Sequence, residues 1–140
     1  MPEIMGLPID AITFDDVQAF CAHETPENIR LEYKQEFSSN HPARQIAKEI
    51  AAFANTQGGT ILFGVKEDSD RRPVKSPQGA DLGGNPKATI QSACVHNVFP
   101  PVVPEVSALI PNPKEPSKGF VIVRIGASED IHTVDGGKGI

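Results

Sequence analysis

A chain of 140 residues, 39% hydrophobic and 22% charged, amounts to one domain or slightly less, and it can bury a core without covalent staples. Its formal net charge of -5 excludes the basic surplus of an avid, non-specific nucleic-acid binder, so any such role must rest on a local patch, a metal or parts outside this segment. Two cysteines exclude a disulfide-rich scaffold, and no basic run leads into a long apolar stretch; the expectation is a cytoplasmic chain with reduced thiols, neither secreted nor membrane-spanning.

In chain order, Thr13 caps a first predicted helix that runs to about His23, and Pro26 breaks it. From Ile29 to Phe37 the letters alternate. Ile29, Leu31, Tyr33 and Phe37 fall on one side, Arg30, Glu32, Lys34 and Glu36 on the other, which predicts a strand with one wet face. A helix follows, capped by Ser39 or Asn40 with Pro42 in its first turn. Its apolar face is Ala43, Ile46, Ala47, Ile50, Phe53 and Ala54, while Arg44 and Lys48 share another face. Gly58 and Gly59 stop it, and "TILFGV" reads as a buried central strand. A long polar loop, "KEDSDRRPVKSPQGADLGGN", precedes a helix from Asn85-Pro86 to about Val98. Strands near 103–110 and 120–125 flank a turn in "PNPKEPSKG", and "DGGKGI" approaches a further strand that does not arrive, as in a trimmed fragment.

The glycine pair invites comparison with a phosphate-binding loop, and the order of elements argues against it. A P-loop runs strand, glycine turn, helix, so that a helix N-terminus faces phosphate. Here the helix comes first and its negative dipole end lies beside the glycines. The expectation is therefore not a P-loop ATPase.

Two acidic groups remain: Glu27 with Glu32, and Glu67 with Asp68 and Asp70. Glu32 and Lys34, two apart on a strand, project side by side. Carboxylates that hold a divalent cation, with a lysine to neutralise developing phosphate charge, suit metal-dependent phosphodiester cleavage. The plainer alternative is a solvated strand face whose charges protect an edge. Cys21 with His23 and Cys94 with His96 could suggest zinc, but residues two apart on a helix point in nearly opposite directions. Core packing suits Cys94 better, and surface or capping positions suit the histidines.

The blocks "LEYKQEF", "IAKEIAAFANTQGGTILFGVKED" and "PPVVPEV", in that order, resemble the AlbA-type DNA-binding domain found in bacterial regulators and in the Schlafen proteins. The resemblance runs from about Glu24 to the C-terminus, giving a helical segment over 1–23 and a Schlafen AlbA-like domain over 24–140, truncated before its closing strand. It implies an α/β (α+β) fold with a single mixed β-sheet packed with helices, and a nucleic-acid-associated family. In some Schlafen proteins two glutamates five apart and a later aspartate accompany RNA cleavage; here Glu27, Glu32 and Asp68 match, with Glu67 an alternative for the third.

Three readings follow. The first is a DNA- or RNA-binding module of a larger bacterial-type regulatory protein, with Lys34, Arg44, Lys48, Lys66, Arg71 and Arg72 as phosphate contacts. The second is a magnesium- or manganese-dependent endoribonuclease using Glu27, Glu32 and Asp68 as metal ligands with Lys34. The third is a homodimerising or docking unit with no nucleic-acid role.

Overall fold

The structure is a computed structural model that describes residues 6–37 and 41–134. Among the described residues a 3-10 turn (Ile9–Ala11) and three α-helices, α1 (Phe14–Ala22), α2 (Pro42–Ala54) and α3 (Pro86–His96), accompany seven strands. The strands are β1 (Leu31–Lys34), β2 (Gly59–Phe63), β3 (Val98–Phe99), β4 (Glu105–Val106), β5 (Ile110–Asn112), β6 (Glu115–Ile125) and β7 (Thr133–Val134). The main sheet is mixed: β1 runs parallel to β2, and β6 runs antiparallel to β2, β4 and β5. The fold is α+β, as expected from the sequence.

Alternation along β6 explains the layering. Val121, Val123 and Ile125 face a core closed by Ile46, Ile50 and Ala54 of α2 and Ile90, Ala93 and Cys94 of α3. Phe120 and Ile122 face the opposite side, where Leu31, Tyr33 and Leu62 meet Val17, Phe20 and Cys21 of α1. α1 begins with a reciprocal capping box, in which the Asp16 amide donates to Thr13 Oγ1 at 3.1 Å and the Thr13 amide to Asp16 Oδ2 at 2.9 Å. α3 starts at Pro86 with Asn85 Oδ1 accepting from the Ala88 amide.

Several boundaries differ from the sequence reading. β1 is shorter than the predicted 29–37, and its non-apolar side is not a wet face: Glu32 and Lys34 lie half-buried on the side covered by α2. The chain bends after Lys34, so Phe37 leaves the side of Leu31 and Tyr33 and packs edge-on against Phe63, ring centroids 5.0 Å apart. The cap assigned to Ser39 or Asn40 lies outside the described residues; His41 occupies the α2 N-cap in a left-handed conformation without a side-chain cap. α3 ends at His96, because Val98 and Phe99 pair with Val134 and Thr133. β3 and β7 thus form a separate two-stranded ribbon, and the further strand approached by "DGGKGI" lies outside the described residues. The expected turn in "PNPKEPSKG" is tighter than read, since Asn112 already pairs with Glu115.

Among the described residues no helix is long and apolar enough to cross a membrane. Cys21 and Cys94 are buried free thiols, and burial pushes them up to about 12 and about 11.

Candidate functional site

The parallel β1–β2 pair places the predicted residues. β1 is the terminal strand of the sheet, and α2 crosses from its end to the start of β2. Gly58, with φ +75°, turns the chain from α2 into β2; its amide donates to Phe53 O at 2.8 Å, and an added Cβ would lie 2.4 Å from Ile125 O. This glycine is thus spent on a helix stop against a neighbouring strand, with its N–H already bonded.

Glu27 precedes β1 and is held on both sides. One carboxylate oxygen, Oε2, accepts from the Tyr33 amide at 2.9 Å, and Oε1 accepts from Arg71 Nη2 at 3.1 Å and Nε at 3.2 Å. Its side chain is 7% exposed. Glu67, just past β2, meets this group. Desolvation there, a hydrogen bond with Glu27 and repulsion from it raise the Glu67 carboxyl, while Arg71 and Lys34 oppose the shift.

On the α2 side of β1, Lys34 Nζ lies 3.1 Å from Glu49 Oε1. Glu32 stands beside the same glutamate. Burial first, then the Glu49 charge, push the Glu32 carboxyl up to about 7, against the pull of Lys34. Glu32 Oε2 is buried with no hydrogen-bond partner. Burial lowers the Lys34 ammonium, but Glu49 and the other carboxylates outweigh it and the net shift is upward.

Glu27, Glu32, Lys34 and Glu67 therefore share one electrostatic neighbourhood, completed by Glu49 and Arg71. Asp68 turns elsewhere. Its Oδ1 accepts from the amides of Asp70 at 2.8 Å and Arg72 at 3.1 Å, closing a tight turn within residues 68–72. Among the described residues no group of three or more His, Cys, Asp or Glu is arranged to hold a metal ion. The trio Glu27, Glu32 and Asp68 as placed does not fit a divalent cation, because Glu27 is committed to Arg71 and Tyr33 and Asp68 to its own turn.

Of the predicted cations, Lys66, Arg71 and Arg72 are exposed on this turn. Arg44 and Lys48 are half-buried on α2. Glu49 was not singled out from the sequence. No spacing links it to Lys34, since their contact depends on how α2 lies over β1.

A groove of about 600 Å³ opens between the approach to β1 and α2. Asn28, Ile29 and Glu32 line one side, and Lys48, Glu49, Ala52, Phe53, Thr56 and Gln57 the other.

Comparison with known proteins decides the family. Residues 27–138 match the family described as "Schlafen, AlbA_2". The chain belongs to the Schlafen AlbA_2 family. An uncharacterized ATP-binding protein of Ureaplasma parvum, UU034, is 32% identical over 99 residues, which are 69% of this chain and 27% of that protein. The crystal structure of the DIP2311 protein from Corynebacterium diphtheriae aligns with a TM-score of 0.47 at 14% identity, over 83% of this chain and 22% of that one. The chain thus spans about a quarter of the length of each. This Schlafen AlbA_2 domain has its family-matching segment beginning at Glu27, the residue that ties the β1 edge to the turn after β2.

Proposed function

We propose that this Schlafen AlbA_2 domain is a nucleic-acid-binding module of a longer regulatory protein. Beyond family membership, one observation carries the reading: the Glu27–Arg71 pair anchors the turn after β2, so that Lys66, Arg71 and Arg72 stand exposed together at the end of the β1–β2 pair. Lys34 adjoins them, because its carbonyl accepts from the Gly64 and Val65 amides at 2.7 and 3.2 Å. Exposed cations grouped on one turn are what a chain of net charge -5 needs to contact phosphate, although Glu67, Asp68 and Asp70 lie on the same turn. The Ureaplasma relative's name refers to ATP binding, but Gly58 and Gly59 follow a helix C-terminus here and offer phosphate no helix N-terminus.

The test is binding of single- and double-stranded DNA and RNA by fluorescence anisotropy across a salt series. Affinity is expected to fall with salt, and a Lys66→Ala/Arg72→Ala double variant should bind more weakly, with a log–log salt slope shallower by about 2. Absence of binding to all four ligands at low salt overturns the reading.

A further inference from the structure

The groove between β1 and α2 has walls and polar groups that the phosphate-binding reading does not use. Its apolar wall is built from Ile29, Ala52 and Phe53. Ile29 is 73% exposed, a large apolar side chain with no cover in the domain. Phe53 is fixed from beneath: a Cβ added to Gly59 would lie 2.5 Å from its ring, so the aromatic rests directly on the β2 backbone. Glu32 and Glu49 both line the groove, and Glu32 Oε2 is buried with no hydrogen-bond partner. Half-buried Lys48 also lines it.

Each feature restricts the occupant. A rigid aromatic wall in an otherwise apolar groove favours a flat ring. The volume suits a small organic group, since ligand pockets commonly span about 300–1,000 Å³. A carboxyl pair with a spare acceptor calls for a ligand edge rich in N–H donors and repels one rich in carbonyls. A lysine among the lining residues favours an attached phosphate.

We infer that this groove takes an unpaired nucleobase carrying an exocyclic amine, with Glu32 and Glu49 accepting from that amine and Phe53 and Ile29 covering the ring. The inference rests on the nucleic-acid reading above and names its substrate as single-stranded, amine-bearing sequence. Adenine, cytosine and guanine present such an amine, guanine with a ring N–H beside it; uracil presents one ring N–H between two carbonyl oxygens, which the carboxyls would oppose.

The experiment compares short oligo(A), oligo(C) and oligo(U) RNA by fluorescence anisotropy at fixed salt. The expected result is tighter binding of oligo(A) and oligo(C) than of oligo(U) by about tenfold, the scale of one well-made base contact. Ala52→Trp places a large side chain in the groove from an exposed helix position and should abolish that preference while leaving the salt-dependent binding of double-stranded ligand unchanged. Glu32→Gln fixes a donor there at every pH, and above pH 7, where the carboxyl is ionised, it should narrow or reverse the preference against oligo(U). Equal binding of the three oligomers, or a preference that survives Ala52→Trp in a protein of unchanged circular dichroism, overturns the groove assignment and leaves the phosphate-binding reading standing. Failure to bind any nucleic acid overturns both.

Discussion

Glu27 and Arg71 are joined through backbone and side chains together: the Glu27 amide donates to Arg71 O at 2.8 Å, and Arg71 Nη2 lies 3.1 Å from Glu27 Oε1. The same carboxylate accepts from the Tyr33 amide, the N–H that β1 turns away from β2. One buried side chain therefore closes the exposed sheet edge and fixes the turn that carries Lys66, Arg71 and Arg72.

Glu27→Ala should cost about 1–3 kcal/mol, because the Tyr33 amide and the Arg71 guanidinium lose their acceptor together. Arg71→Gly should cost less. It frees the carboxylate but relieves a non-glycine residue at φ +62°, a conformation worth about 1 kcal/mol of strain. Urea denaturation of the two variants checks the order. A Glu27→Ala midpoint equal to that of the parent protein would contradict the dual role.

The Glu32 carboxyl gives a pH dependence of definite sign. Burial and Glu49 raise it from 4.5 to about 7 in the folded state, so between those values the folded chain holds a proton that the unfolded chain has released. Its contribution is greatest below pH 4.5 and is lost as pH rises through 7. Glu67, also raised, acts in the same direction above its ordinary range. Lys34, whose shift is upward, stays charged throughout this window and adds no slope. Glu32→Gln should therefore raise the melting temperature at pH 8 more than at pH 5. Parallel melting curves for the two proteins across that range would show that Glu32 is not the titrating group.

Glycine positions separate by what surrounds them. Gly58→Ala meets both a positive φ and the Ile125 carbonyl, so either the α2–β2 turn or the end of β6 must move; a loss of about 2 kcal/mol or more is expected. Gly84→Ala meets nothing within 4 Å and has no positive φ, so its effect should lie within about 0.5 kcal/mol or be mildly stabilising. Chemical denaturation of the pair checks the contrast, and an equal loss in both would refute it.

Elements governed by local chemistry were legible in the sequence. The Thr13 cap, the apolar stripe of α2, the glycine stop and the buried run of β2 each signal themselves within a few residues. What was not legible depends on the second layer. Alternation in "LEYK" separates two sides of a strand, but charged letters read the same whether they face water or a covering helix, and here α2 covers Glu32 and Lys34. The neighbourhood of Glu27, Glu32, Lys34 and Glu67 was partly visible through spacing and family likeness. Glu49 and the groove beside it were not, because both arise from the packing of α2 over β1. Asp68 drew notice as an acid, while its position before Ser69-Asp70 also suited it to accept from its own loop's amides.

The first helix lies ahead of the segment that matches the family, yet Val17, Phe20 and Cys21 are buried against Leu31, Tyr33, Leu62, Phe120 and Ile122. A protein trimmed to begin at residue 27 would lay those five side chains bare to water along one whole side of the sheet. Such a version would be expected to clump or to borrow a cover from another molecule, and any binding measured on it would report that oily plane as well as the domain's own chemistry.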